Sequence, residues 1–265
     1  MKEPNHIDRI LKKWSYDPDK VRVRLVRGDD GRQVIQMRVD LGLLQLETTG
    51  RPDGLSFEGK RSFLDFLRAK YGPPARDVDV EASAVLSDDE AADVEAMDED
   101  ECAETDREFM QFYHRRICWL QLRQYDKAVR DADHTLELMD FCREHSPDEQ
   151  WTLSHEQYRP FVLYQRTQAA AMAHLEQGEQ GAEAAIIRIN EGLDSVRDFF
   201  DDFDVAEQYD ENEFVQRLTA LREELRQEYR LGMTLQEQLD QAVASEDYEL
   251  AAQLRDEIAK REFSA

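Results

Sequence analysis

Apolar residues near the C-terminal end of the chain recur every three or four positions, which is the spacing of one face of a helix. A polar stretch at residues 245–247 divides them into two groups with residues that favour turns and N-caps. Thr234 and Glu237 form a capping-box pair, which marks the start of the first helix. The apolar positions are Leu235, Leu239, Ala242, Val243, Tyr248, Ala251, Ala252, Leu254 and Ile258. The pattern therefore predicts a hairpin of two short helices.

The predicted helices need a partner surface, because isolated helices below about 12–15 residues are marginal in water. The small pair Ala251 and Ala252 lets the two helices approach closely. An isolated pair with a narrow apolar stripe must still cover that stripe. The cover is the rest of this chain, a second copy, or another protein, and the pattern leaves all three open.

Residues 1–72 show a different pattern, which predicts a small α+β module. A short amphipathic helix at residues 6–14 is followed by alternating residues at 21–27 and 33–39, separated by a glycine-containing turn. Such alternation around a turn predicts a β-hairpin, and residues 41–48 extend the sheet. A second helix follows, with an apolar face formed by Phe63, Leu64, Phe66 and Leu67.

Residues 107–231 carry helical periodicity throughout. A first helix–turn–helix ends near Leu138, a second is predicted from helices 158–177 and 182–200, and a single helix covers 214–231. The residues that resemble the second half of a tetratricopeptide (TPR) repeat are Tyr125, Ala128, Ala132, Thr135 and Leu136. Arg115 and Arg116 stand where that repeat normally packs Leu and Gly, so the resemblance is confined to the second halves of the units.

Charge is distributed unevenly over the 265 residues, whose formal net charge is −25. Residues 77–106 contain fourteen Asp or Glu and no Lys or Arg, which leaves −11 for the rest of the chain. Like charges and few bulky residues cannot bury enough surface to offset chain entropy. We therefore predict an acidic disordered linker at 73–106. The alternative is an acidic decoy that mimics nucleic-acid charge or covers a basic partner.

The acidic charge disfavours direct binding to nucleic acid, since contacts with the negatively charged phosphates dominate that affinity. Arg22, Arg24 and Arg38 form the basic patch of the β-hairpin, because alternate strand residues share one face. A solvated polar face is the preferred interpretation. The alternatives are a nucleic-acid contact and a surface that holds the acidic linker in cis.

The sequence contains few signals for catalysis or for a cofactor. There is no phosphate-binding loop, dinucleotide fingerprint, nucleophile elbow or zinc-protease motif. His114, Cys118, Cys142 and His145 are candidate metal ligands, but no sequence rule brings the two pairs together, and Cys118 beside Trp119 is better placed in a core. We expect no enzyme activity, no cofactor and no metal site.

The location of the protein is expected to be cytoplasmic. The three cysteines are widely spaced without a CxxC pair, which favours reduced thiols. No apolar stretch approaches the length of a membrane span, and the N-terminal residues lack the apolar run of a signal peptide. We expect no contact with membranes.

The C-terminal hairpin resembles the UVR motif, the helical hairpin named after the UvrB and UvrC excision-repair subunits. What the resemblance implies is protein–protein contact, either with a UVR-containing protein, a Clp-type ATPase or a kinase-like partner, or by self-association. The partner-binding residues that we expect are Leu239, Ala242, Tyr248, Ala251, Ala252, Leu254, Arg255 and Ile258. The aliphatic members supply contact area, and Arg255 supplies a directional charge pair.

The sequence thus predicts a mainly α protein in four segments: an α+β module (1–72), the acidic linker (73–106), a TPR-like helical domain of antiparallel hairpins (107–231) and a UVR helical hairpin (232–265). The predicted function is that of a non-enzymatic adaptor, or scaffold, that docks partners through the hairpin. The alternative is a factor associated with DNA damage and excision repair that contacts nucleic acid through the N-terminal basic hairpin.

Overall fold

A computed structural model describes residues 7–72 and 96–262. Three antiparallel strands form one sheet in the order β1-β2-β3, with bounds β1 Arg22–Arg27, β2 Gln33–Val39 and β3 Gly42–Glu47. The helices are α1 Asp8–Lys13, α2 Phe63–Tyr71, α3 Glu99–Gln121, α4 Tyr125–His145, α5 Glu149–Glu156, α6 Arg159–Leu175, α7 Glu179–Asp202, α8 Glu213–Tyr229, α9 Leu235–Ala244 and α10 Tyr248–Glu262. The predicted fold class, mainly α with an N-terminal antiparallel sheet and a C-terminal helical hairpin, is confirmed. The TPR-like character of the middle helices stays a prediction.

The chain divides into two compact units, Met1–Ala169 and Ala170–Ala265. In the first unit, one face of the sheet packs on α3 and α4, and Ile35 and Trp119 are fully buried where they meet. Alternation along the strands explains this, because Val23 and Leu25 of β1 and Ile35 and Met37 of β2 point to the same side. Packing thus groups the predicted α+β module with the first helices of the predicted TPR-like domain.

Arg115 and Arg116, unexpected in a helix core, are both buried and both have polar partners. Arg115 donates to both carboxylate oxygens of Asp131, at 2.7 and 2.8 Å. Arg116 donates to Gln165 at 2.7 Å and to Thr135 at 2.9 Å. Burial lowers the pKa of Arg116 to about 10. These polar pairs occupy the space that apolar residues fill in a repeat of the expected kind.

The N-terminus of α2 is held by Glu108 of α3, a fully buried carboxylate. It accepts hydrogen bonds from the backbone N–H groups of Phe63 at 2.7 Å and Leu64 at 3.1 Å. Arg51 lies 3.6 Å from the same carboxylate. A negative group at a helix N-terminus satisfies free N–H donors and complements the helix dipole, so Glu108 fixes α2 on α3.

The disordered linker predicted at 73–106 is wrong for residues 99–106, which form the first turns of α3. Asp98 and Glu101 make a capping box there, and acidic side chains suit a helix N-terminus. Lys70 and Tyr71 each donate to the Glu101 carboxylate at 2.6 Å, which offsets part of the like-charge repulsion. Residues 73–95 of the predicted linker lie outside the described residues.

In the second unit, α7 and α8 pack together through apolar residues at helical spacing. The buried residues of the two helices are Ala182, Ala185, Ile186, Ile189, Leu193, Val196, Phe200, Val215, Leu218 and Leu225. The pair α9 and α10 forms a second antiparallel packing in this unit. Among helices of the described ranges, none is long and apolar enough to cross a membrane.

Candidate protein-interaction hairpin

The helical hairpin begins at Thr234, whose hydroxyl accepts a hydrogen bond from the Glu237 N–H at 3.2 Å. The Glu237 carboxylate in turn accepts from the Thr234 N–H at 2.7 Å. This reciprocal pair is the predicted capping box, and it satisfies two of the N–H donors that a helix start leaves free.

A three-residue loop at 245–247 joins α9 to α10. Glu246 has a positive φ of 58°, the left-handed conformation that usually ends a helix. The Asp247 N–H donates to the Ala242 carbonyl at 2.8 Å, and the Asp247 carboxylate accepts from the Leu250 N–H at 3.1 Å. The polar residues of the predicted turn therefore close α9 and start α10.

The two helices form a small apolar cluster of their own. Ala242, Ala251 and Leu254 are buried in it, with Leu235 and Leu239 partly buried against them. All five residues come from α9 and α10, so the predicted apolar stripe covers itself in large part. The two alanines leave room for close approach, as the sequence indicated for Ala251.

Three large apolar side chains of the hairpin stay exposed outside the internal cluster. Tyr248 is 68% exposed, Val243 52% and Leu250 43%. Ala252 and Arg255 are exposed as well, and Ile258 is half-buried. Val243 was expected on the same face as Ala242, but one residue turns a helix by about 100° and carries it away from the cluster.

The expected partner-binding residues therefore fall into two groups with different roles in the fold. Ala242, Ala251 and Leu254 are buried between the helices, with Leu239 beside them and Ile258 at the margin. Tyr248, Ala252 and Arg255 lie on the outside, available to another molecule. The structure adds Val243 and Leu250 to that outer set.

Glu237 has a second role that the sequence did not reveal, since it also ties α9 to α8. Its carboxylate pairs with Arg226 and lies 3.8 Å from Arg222, and it is hydrogen-bonded to Asn190 of α7. Burial alone would raise the pKa of Glu237, but the hydrogen bonds from Thr234, Arg226 and Asn190 outweigh it and lower the pKa. Arginines four residues apart on one helix share a face, which was the available signal.

Asp194 of α7 weakens the attachment of α9, whereas Glu237 strengthens it. Burial and then the nearby charge of Asp240 raise the pKa of Asp194. Asp240 belongs to α9, so this like-charge pair works against the attraction at Glu237. The polar contacts described here between α9 and the helices α7 and α8 are thus partly attractive and partly repulsive.

The arginines of the N-terminal patch are engaged within the first unit. Arg22 donates to the Ser15 hydroxyl at 3.0 Å, and Arg38 donates to the Trp14 carbonyl at 2.8 Å. The Arg24 guanidinium lies over the Trp14 ring at 4.3 Å. All three side chains thus hold the segment after α1 on the outer face of the sheet.

The candidate metal ligands do not converge within the described part of the chain, which contains no group of three or more His, Cys, Asp or Glu that could hold a metal ion. Cys118 is buried in the apolar cluster of Trp119, as expected, and burial raises its pKa to about 12. Cys142 is buried beside Phe141, on which His145 stacks at 4.3 Å.

Comparison with known families finds a match for the hairpin. Residues 234–261 match the family model described as the UvrB/uvrC motif (UVR). The resemblance of this segment to the UVR motif is therefore confirmed, over about a tenth of the chain. No curated protein and no solved structure matches the chain significantly.

Proposed function

We propose that this protein is a non-enzymatic adaptor that docks a protein partner through the exposed side of the α9–α10 hairpin. The observation that carries the proposal is the division of apolar residues in the hairpin. Its internal cluster is complete without Val243, Tyr248 and Leu250, which remain exposed beside it. The match of residues 234–261 to the UVR motif supports a role in recognition.

The exposed residues are large enough to contribute to binding. Burying a Val or Leu side chain fully stabilises a complex by roughly 1.5–3 kcal/mol, and aromatic residues bury more area. Tyrosine is also enriched among residues that dominate binding energy. The partner classes that the UVR resemblance suggests are a UVR-containing protein, a Clp-type ATPase, a kinase-like protein or a second copy of this chain.

The test replaces exposed residues and leaves the internal cluster intact. Tyr248→Ser with Leu250→Ser should abolish co-purification of specific partners with the tagged full chain from its native cell. Ile187→Ser is the matched control, because Ile187 is an exposed apolar residue on α7, outside the hairpin. Leu254 is unsuitable for this purpose, since it is buried and its replacement would destabilise the hairpin itself.

Partner recovery that is unchanged in the double variant, with α9 and α10 still protected from amide exchange, would refute the docking role. The nucleic-acid alternative is not carried forward, because Arg22, Arg24 and Arg38 already contact residues 14–16.

A further inference from the structure

The tip of the hairpin, residues 243–250, combines exposed apolar side chains with acidic charge that no basic residue of the tip balances. These eight positions contain no Lys or Arg. The exposed side chains of the tip all lie within about one helical turn of the loop. The exposed apolar residues are Val243, Tyr248 and Leu250, and the exposed carboxylates are Glu246, Asp247 and Glu249.

The first basic side chain along α10 does not neutralise the tip. Arg255 lies seven residues beyond Tyr248, which is about 10 Å along a helix axis. Its guanidinium is 3.1 Å from the carboxylate of the adjacent Asp256. The tip therefore carries exposed apolar side chains among exposed carboxylates, without a basic residue of its own.

A partner that covers the apolar residues of the tip must also accept its carboxylates. A second copy docked through the same tip would bring two acidic tips together, and like charges across an interface oppose association. A purely apolar surface would remove the carboxylates from water without compensation. Lysine or arginine residues around an apolar socket supply the positive charge that pairs with these carboxylates.

We infer that the tip binds a protein surface with an apolar socket bordered by lysine or arginine, and that it does not bind its own copy. This inference rests on the proposed docking function and adds the chemistry of the partner. Val243, Tyr248 and Leu250 enter the socket of the partner, and Glu246 and Glu249 pair with the basic residues at its border. Asp247 is kept out of the test because its carboxylate caps α10.

The experiment measures binding of the full chain to a synthetic helical peptide of about 20 residues, with a leucine face bordered by lysines. A second peptide carries glutamates in place of the lysines. The lysine peptide should bind, and Glu246→Gln with Glu249→Gln should weaken it about fivefold, a change that matches two exposed charge pairs. Val243→Ser with Tyr248→Ser and Leu250→Ser should remove binding although every charge remains.

The matched control is Glu224→Gln with Glu228→Gln, which removes the same charge from exposed positions on α8 and should leave the affinity unchanged. Equal weakening by both glutamine pairs, binding that survives the serine variant, or no binding of the lysine peptide would overturn the inference. Equal affinity for the glutamate peptide would do the same.

Self-association is the remaining outcome, measured by sedimentation velocity at increasing protein concentration. A dimer that the serine variant abolishes would identify a second copy as the occupant and overturn the inference, while leaving the docking function in place. A wild-type chain that stays monomeric supports the inference. Failure of the docking function itself has a separate signature, which is unchanged recovery of native partners by the Tyr248 and Leu250 variant.

Discussion

Two leucines of α10, four residues apart, provide a matched pair that tests how the hairpin is stabilised. Leu254 is 7% exposed and packs against Ala242 and Ala251, whereas Leu250 is 43% exposed on the outer side. Leu254→Ala should destabilise the hairpin by about 2–3 kcal/mol, because the neighbouring alanines are too small to fill the space. Leu250→Ala should cost below about 1 kcal/mol, since much of that side chain already contacts water.

The assay is amide hydrogen exchange followed by mass spectrometry on the full chain, which reports local opening. A loss of about 2 kcal/mol corresponds to a roughly 30-fold faster exchange in peptides from α9 and α10. Leu250→Ala should accelerate the same peptides by less than about fivefold.

The helices α7 and α8 should keep their protection in both variants, because the apolar cluster of the hairpin draws all its members from α9 and α10. Equal effects of the two leucine variants would refute the division into an internal cluster and an exposed side. A Leu254→Ala variant that also deprotects α7 and α8 would show that the hairpin core extends into the rest of the second unit.

Two further predictions concern the polar contacts that position the helices. The pKa of Glu237 is lowered in the folded protein, so its stabilising contribution is present above the unfolded pKa near 4.5 and is lost as pH falls through the folded pKa. The protection factor of α9, which is the intrinsic exchange rate divided by the observed rate, should therefore fall with pH in this acidic range in the wild type, and Glu237→Gln should flatten that fall. A pH profile of exchange that is identical in the two proteins would contradict this role. Arg115→Ala leaves the buried carboxylate of Asp131 without its partner and should lower the stability of the first unit by about 3–5 kcal/mol. Arg115→Met with Asp131→Leu removes both charges and should lower the stability much less. Thermal unfolding compares the two variants, and equal losses of stability would argue against the buried-charge explanation.

The hairpin could be predicted in detail because its signals are local. Thr234 and Glu237 are three residues apart and satisfy each other, and the loop residues act on neighbours within five positions. Local signals of this kind depend only on side chains and backbone groups a few residues apart, so one sequence suffices to find them. The placement of Val243 was wrong, since an apolar residue at the margin of a stripe can fall on either side of it.

Most of the remaining errors and omissions depend on contacts between distant parts of the chain. The helix start at residues 99–106 had a local signal in the capping box of Asp98 and Glu101, but the contacts of Lys70 and Tyr71 that offset its negative charge come from α2 and cannot be read locally. Arg115 is acceptable in a core only because Asp131 faces it from the next helix. The attachment of Glu237 to Arg226 crosses the break between α8 and α9, so the shared face of Arg222 and Arg226 signals a basic surface on α8 without indicating which carboxylate meets it.

The central claim is that the exposed side of the hairpin contacts a protein partner directly. Photo-crosslinking tests it when a benzophenone-bearing phenylalanine analogue replaces Tyr248 in the full chain in its native cell, with the same analogue at Ile187 as the control. The account predicts a discrete crosslinked protein from position 248 and none of that mass from position 187. Crosslinks from both positions to the same proteins, or none from position 248 in a folded chain, would contradict it.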